Sequence, residues 1–310
     1  MRSSWVAATV RARGIGRRRA GTELSRRIAT APDLDAGLAL LAGTAFENAA
    51  KPGTSLRDAE HGIRAELLWE LRVLAGWMPA AGAPLARALA ARFEMSNIEA
   101  HRDRLAGGDA VPEFTLGTLA TSWPRLAEAT SLEQLRDELA SSPWGDPGDV
   151  SAPALHDTLF VTWLRMVDAS PSRTPAVAKW VGGGAALLAA RTILTLEQEP
   201  SHVLARSLGP VIGWRWTDAR SIAELRDALP GRARWALAGI DAPEQLWRAE
   251  AHVRGRMESD GFKLLRGAQP GPESVVGALA VLAVDAWRVR AALAAAAGGR
   301  GSSEVLDVVA

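Results

Sequence analysis

The 310-residue chain contains no cysteine and no tyrosine, and it has only three lysines. The absence of cysteine excludes disulfides, thiolate zinc sites and cysteine nucleophiles. β-Branched residues are sparse, whereas alanine, leucine and arginine dominate, so the composition favours helix over strand. A chain of this length buries a substantial core without covalent cross-links. We therefore expect an all-α protein.

Long hydrophobic runs are also absent. The two longest, 275–284 and 181–190, end at Asp285 and Arg191, and both are shorter than the roughly 20 residues that span a bilayer. We expect no transmembrane segment. The first thirty residues are rich in arginine but lack the apolar run of a secretory signal, so we interpret them as part of the fold.

Charge is nearly balanced overall but uneven along the chain. The formal net charge is +1, so the molecule as a whole is not built to bind nucleic acid. Within the first 27 residues Glu23 is the only acid, and the arginines are Arg2, Arg11, Arg13, Arg17, Arg18, Arg19, Arg26 and Arg27. Such a segment suits acidic lipid headgroups, an acidic partner or nucleic acid, or it is simply a solvated helix face.

Short sequence patterns recur at intervals of about 90 to 100 residues. SLEQLRDEL begins at Ser131 and SIAELRDAL at Ser221, and a fainter copy begins at Asp33. Each copy opens with a helix-capping residue followed by apolar residues at helical spacing. In the copies that begin at Asp33 and Ser131 a second pattern follows, in which a leucine and a hydroxyl residue precede an aromatic, Phe46 or Trp144. The copy that begins at Ser221 retains only the aromatic, Trp235. We therefore predict three helical units, 1–110, 111–205 and 206–310.

A further apolar stripe includes Leu85 and Phe93. We expect this helix to stop at Ser96 and Asn97, because both are polar, and we expect Ser96 with Glu99 to form the capping box of the next helix.

Motifs of catalysis and cofactor binding are missing from the sequence. The five histidines are far apart and none forms an HExxH pair, so we expect no metal site. The run Gly182 to Gly184 does not complete GxGxxG, and we expect it to be a flexible helix start or a place of close helix packing. We interpret Glu197, Glu199, Asp218 and Asp241 as surface acids. We expect no catalytic residues and no cofactor.

Tryptophan is unusually frequent, with twelve in the chain. Trp69 and Trp77 lie in helical segments, and we expect them to pack in the core. Trp214 and Trp216 flank Arg215, and this trio is a candidate contact site.

Four strings occur in order along the chain: the opening Trp5-Val-Ala-Ala8-Thr-Val10-Arg11-Ala12, then Leu40-Leu41-Ala-Gly-Thr44-Ala-Phe46, Phe93-Glu94-Met-Ser-Asn97-Ile98 and Gly271-Pro272-Glu273 with Asp285 to Arg290. Together they resemble the C/d family of central-stalk proteins in A/V-type (archaeal and vacuolar) ATPases. The sequence departs from the family pattern at Gly16 and Arg17 in place of a leucine pair, at Gly182 to Ala186 in place of an aspartate and an asparagine, and at Arg288 in place of an asparagine.

The resemblance implies three helical bundles about a pseudo-threefold axis, forming a funnel. Proteins of this family receive the central shaft, rest on the membrane rotor ring and couple ATP hydrolysis elsewhere to proton or sodium transport, without chemistry of their own. The resemblance also implies a peripheral location on the cytoplasmic side of the membrane, and no nucleic-acid partner. The candidates for partner-interface or cap residues are Arg11, Arg13, Asn97, Arg102 and Arg104.

Three alternatives stay open at this point. The chain is a divergent helical scaffold of the same fold that has lost the motor role, as the departures suggest; or an enzyme with a pocket inside a helical bundle; or a nucleic-acid-binding protein that uses its arginine-rich start.

Overall fold

A computed structural model describes residues 3–171 and 173–298, and within these ranges the chain contains helices and no strand. The all-α prediction is therefore confirmed at the level of fold class. The α-helices in chain order are α1 (Val6–Arg17), α2 (Gly21–Ala29), α3 (Leu34–Ala39), α4 (Leu56–Trp77), α5 (Ala83–Leu105), α6 (Trp123–Leu126), α7 (Leu132–Ala140), α8 (Ala152–Asp168), α9 (Pro175–Ala190), α10 (His202–Ile212), α11 (Ile222–Ala228), α12 (Gly231–Arg234), α13 (Leu246–Leu265) and α14 (Pro272–Ala297).

Shorter helical elements connect them. In the described ranges six of these are 3₁₀-helices: Ser3–Trp5, Ala80–Gly82, Gly117–Leu119, Arg215–Asp218, Trp235–Leu237 and Pro243–Gln245. Immediately after α9 the helix widens into a π-helix, Arg191–Thr195.

The helices form two compact units. The first contains the residues up to Ala83 and those from Arg254 onward, and the second contains Pro84–Val253. The predicted division into 1–110, 111–205 and 206–310 follows sequence recurrence rather than compactness, and it stays a prediction.

In the first unit α14 is the central helix, and it packs against α1, α2, α3 and α4. Nearly all of its length is buried because it is apolar on every side. Asp285 of α14 accepts hydrogen bonds from the backbone N–H groups of Ala20 (2.7 Å) and Gly21 (2.8 Å), at the start of α2. The buried Arg288 donates to Asp285 (3.3 Å) and to Glu258 (2.7 Å). Burial raises the pKa of Asp285, and the two backbone amides oppose the increase.

In the second unit α9 packs against α8, α10, α12 and the 3₁₀-helix Trp235–Leu237. Residues Pro175–Thr195 are long and apolar enough to span a membrane, and 56% of their most apolar window is buried against the rest of the protein. Burial of that kind is also typical of a core helix, so length and composition alone do not make it a membrane span. Gly182 and Gly183 lie inside α9, where they allow close packing; the prediction of close helix packing is confirmed, and that of a helix start is wrong.

The same order of elements appears three times along the chain. A short capped helix (α3, α7 or α11) is followed by a turn or a short helical stretch and then by two long helices: α4 and α5, α8 and α9, or α13 and α14. The predicted caps are confirmed: Asp33, Ser131 and Ser221 each accept a hydrogen bond from the backbone N–H three residues later. Gln134 and Glu224 each bond back to the residue before the cap.

The turn after the capped helix is also identical in the first two copies. Thr44 Oγ1 donates to the carbonyl of Leu41 (2.7 Å) and accepts from the N–H of Phe46 (3.1 Å). Ser142 forms the equivalent pair, with Leu139 and Trp144, at 2.8 and 3.1 Å. In both turns the aromatic ring is buried. The repeated sequence pattern therefore has one structural cause, a hydroxyl that closes the turn and directs the aromatic side chain inward.

Candidate interaction surfaces

Helices α1 and α4 pack side by side in the first unit and run antiparallel. Arg18, just after α1, pairs with Glu70 of α4, whereas the ring of Trp5, just before α1, lies against Gly82. Thr9, on the inner side of α1, accepts a hydrogen bond from Gly271 N–H (3.3 Å). The outer side of α1 is therefore open to solvent beside the outer side of α4.

Exposed apolar and basic side chains share this outer surface. Val10 is 65% exposed, Trp69 53% and Trp77 54%. The prediction that Trp69 and Trp77 pack in the core is wrong, because the buried face of α4 is formed by other residues, such as Leu71 and Leu74. We call this surface the α1–α4 face and define it by the residues Val6, Val10, Arg11, Arg17, Trp69 and Trp77.

The candidate interface arginines of α1 differ in what they contact. Arg13 donates to the backbone carbonyls of Leu265 (3.1 Å) and Gly267 (2.6 Å), so it holds the end of α13 in place. Arg11 and Arg17 are exposed, and in the part of the chain that the structure describes they form no hydrogen bond or ion pair. Arg11 is therefore available to a partner, whereas Arg13 has an internal role.

A row of buried polar residues follows one side of α5 in the second unit. Glu94 accepts hydrogen bonds from the N–H groups of Thr121 (2.7 Å) and Ser122 (2.9 Å), the Thr121 hydroxyl (2.7 Å) and Nε1 of Trp144 (2.9 Å). Asn97, three residues later on the same side, donates to the Phe114 carbonyl (2.9 Å) and accepts from its N–H (2.8 Å). These side chains fix the segment that precedes α6 and α7.

Asn97 is therefore neither a helix cap nor an exposed contact. The expected break at Ser96 and Asn97 is wrong, because α5 continues without interruption from Ala83 to Leu105 and the Ser96–Glu99 capping box does not exist. Asn97 is buried, and both ends of its amide are bonded. A polar residue inside an apolar pattern here marks an internal hydrogen-bonding group rather than a helix end.

The two arginines at the end of α5 also bond within the unit. Arg102 Nε donates to the carbonyl of Val150 (2.8 Å). Arg104 Nη2 lies 2.6 Å from Nδ1 of His101, whose Nε2 lies 3.0 Å from the carbonyl of Ala129. Because an arginine only donates and a carbonyl only accepts, these contacts assign the proton of a neutral His101 to Nε2. Burial and the neighbouring Arg104 lower the pKa of His101.

The lowered pKa of His101 predicts a loss of stability on acidification. The unfolded chain, with a pKa near 6.5, binds a proton at a higher pH than the folded protein does. The free energy of unfolding should therefore fall as the pH drops below about 6.5, until the folded protein also binds the proton. His101→Gln keeps an N–H donor for Ala129, and it should flatten this part of the profile in urea titrations from about pH 7.5 to about pH 5.

A matched control is His202→Gln, which removes an exposed imidazole. The comparison of interest is the difference between the His101→Gln and parent profiles, since buried carboxyl groups contribute equally to both. Parallel profiles, or a parent that gains stability over the variant as the pH falls, would contradict the assignment of a neutral His101.

An open cleft of about 940 Å³ lies in the second unit. Its apolar lining includes Ile193 and Ile222, and its polar lining includes the acids Glu197, Glu199, Asp218 and Asp241. All four are exposed, as predicted for surface acids, and nothing in their sequence spacing indicates a shared cleft. Within the described ranges no three histidine, aspartate or glutamate side chains are placed to hold a metal ion.

The candidate trio around Arg215 is split by burial. Trp216 is fully buried, whereas Trp214 is 61% exposed and packs partly over Gly209. The trio therefore does not form one exposed aromatic platform.

Comparison with known proteins leaves the family open. No family model matches the chain, and a search of curated proteins found no match.

Proposed function

We propose that this chain is a non-catalytic connector, the central-stalk subunit of an A/V-type ATPase that couples an ATP-driven shaft to a membrane rotor ring. In this proposal three copies of one helical module are arranged about a pseudo-threefold axis as a funnel, on the cytoplasmic side of the membrane. The partners are the shaft subunits and the ring, and the transported ion is a proton or sodium.

The observation that carries the proposal is the way each copy packs on the next. The second long helix of the first copy, α5, bonds through Glu94 and Asn97 to residues 114–144 of the second copy. The second long helix of the second copy, α9, packs against α12 and the 3₁₀-helix after it, both in the third copy. The second long helix of the third copy, α14, packs against α1, α2 and α3 of the first copy.

This cyclic order supports a threefold arrangement, because in a linear stack the last copy would have no reason to pack on the first. Glu94 and Asp285 further support the similarity of the first and third copies. Each is a buried carboxylate in the second long helix, and each accepts from two consecutive backbone N–H groups near the start of a helix of the next copy. The first and third copies therefore each bind the next copy through a buried carboxylate, and we call this contact the polar joint. Helices that are held together in this way suit a part that transmits torque.

The second copy supports the alternative, a divergent scaffold of the same fold that has lost the motor role. Residues Gly182 to Ala186 of α9 contain no acid and no amide side chain, and a Cβ atom at Gly182 would meet the backbone of Arg232 and Ala233 in α12 of the next copy. The polar joint is therefore replaced by small apolar residues in this copy. A scaffold tolerates such a loss more readily than a coupling between moving parts does.

Co-purification from the source organism tests the proposal. An affinity tag on the intact chain should recover the catalytic, shaft and ring subunits from gently solubilised membranes, identified by mass spectrometry. Membranes that lack the chain should still hydrolyse ATP but should lose ATP-driven ion transport. Recovery of other proteins without any motor subunit would favour the scaffold and overturn the motor assignment.

A further inference from the structure

We propose that the α1–α4 face binds directly to the surface of anionic lipid membranes. Arg11 and Arg17 would contact headgroup phosphates, and Trp69 and Trp77 would lie at the level of the headgroups. The inference does not rest on the proposed function, in which contact with the membrane is made through a protein ring.

The geometry brings the two sets of side chains onto one surface. The contacts of Arg18 with Glu70 and of Trp5 with Gly82 place α1 alongside residues 70–82 of α4 and the turn after it. Trp77 is seven residues after Glu70, so both lie on the side of α4 that faces α1. Trp69 precedes Glu70 and points further outward, with 53% of its surface exposed and the Arg72 guanidinium 5.7 Å from its ring centroid.

The charge of the face suits a negatively charged surface. Residues 1–19 contain six arginines and no acid, and two of these arginines, Arg11 and Arg17, have no partner in the described part of the chain. Glu70 of α4 is paired with Arg18, and Glu66, one turn earlier on α4, also lies close enough to Arg18 to interact with its charge. The two free arginines, Arg11 and Arg17, are attracted to an anionic leaflet when they approach within a Debye length of it.

The apolar side chains favour lipid over an acidic protein or a nucleic acid. Tryptophan is enriched at membrane interfaces because its ring is apolar and its N–H is polar. The two tryptophans are about 12 Å apart along α4, at 1.5 Å per residue, with Val6 and Val10 on the neighbouring helix. These tryptophan and valine side chains are spread over two adjacent helices, which suits contact with a flat membrane surface. In protein–protein interfaces, by contrast, the residues that contribute most to binding cluster near the enclosed centre of the interface. Val6 and Val10 add apolar contact area that a phosphate backbone would not use.

Sedimentation with lipid vesicles tests the proposal on the intact chain. Vesicles of phosphatidylcholine with about 30% phosphatidylglycerol should bind the protein, whereas pure phosphatidylcholine vesicles should bind at least tenfold less. Binding should weaken by about tenfold or more when salt is raised from about 0.05 M to about 0.5 M. Equal binding to both kinds of vesicle, or no binding to either, would overturn the proposal.

Paired substitutions locate the contact. Arg11→Gln with Arg17→Gln should weaken binding by about thirtyfold, at about fivefold for each charge. Trp69→Ser with Trp77→Ser should weaken it by about tenfold. Since all four positions are exposed, thermal denaturation should show that the variants remain folded.

Matched controls come from exposed residues of the second unit. Arg87 and Arg206 are exposed, and Trp214 and Trp247 are 61% and 41% exposed. Replacing the arginine pair by glutamine and the tryptophan pair by serine should leave vesicle binding unchanged. An equal loss in these controls would show that binding is non-specific, and binding to polyglutamate or RNA in preference to anionic vesicles would assign the face to a different partner; either result contradicts the proposal.

Discussion

Replacing Glu94 by alanine should lower the free energy of unfolding by about 3–5 kcal/mol, the range found when one partner of a buried charged network is removed. The carboxylate is fully buried and accepts four hydrogen bonds, from Thr121, Ser122 and Trp144. Alanine would leave two backbone N–H groups, a hydroxyl and an indole N–H without an acceptor. Each orphaned group costs about 1–3 kcal/mol, partly relieved if water enters the space.

Two further variants separate the hydrogen bonds from the loss of volume. Glu94→Gln retains one oxygen, and because Oε1 receives three of the four bonds, we expect a smaller loss of about 1–2 kcal/mol. Asp103→Ala removes an exposed acid of the same helix and should change stability by less than about 0.5 kcal/mol. Urea denaturation gives these values, and amide exchange should show lost protection at Thr121 and Ser122. A loss below about 1 kcal/mol for alanine would contradict the role of Glu94 as a joint.

Features that depend on neighbouring residues could be predicted from the sequence. The caps at Asp33, Ser131 and Ser221 were predictable because both hydrogen-bonding partners lie within three residues of each other. The fold class was predictable from composition for the same reason, since helix propensity acts residue by residue.

Features that depend on distant partners could not be predicted. Glu94 bonds to residues 27 to 50 positions away, so its surroundings cannot be read from the string in which it lies. The same distance explains the error at Asn97, where a buried amide looked like a helix end. Trp69 and Trp77 show the opposite error, because large apolar residues in a helix are expected to be buried unless a surface has another use for them. The four acids of the cleft were separated by up to 44 positions, and only the fold brings them together.

Replacing Gly182 by alanine should lower the free energy of unfolding by about 1–3 kcal/mol, as expected when a tightly packed position receives an extra methyl group. A Cβ atom there would lie 2.5 Å from the carbonyl oxygen of Arg232, so α9 and α12 would have to separate. The short helix cannot move easily, because the Arg232 side chain is bonded to the Val211 carbonyl (2.6 Å) and to Asp168 (3.4 Å).

Gly184, two residues later in the same helix, is the matched control. A Cβ atom there meets only the methyl carbons of Leu164 and the ring of Phe160, at 3.4 Å or more, which is ordinary contact. Helix propensity favours alanine over glycine by about 1 kcal/mol at either position, so Gly184→Ala should be neutral or stabilising. If Gly182→Ala lowers the free energy of unfolding and Gly184→Ala raises it, the difference between them is therefore due to the close approach of α9 and α12. If both are stabilising, α9 and α12 are not in close contact, and the second copy then lacks both the carboxylate joint of the other two and any tight replacement for it.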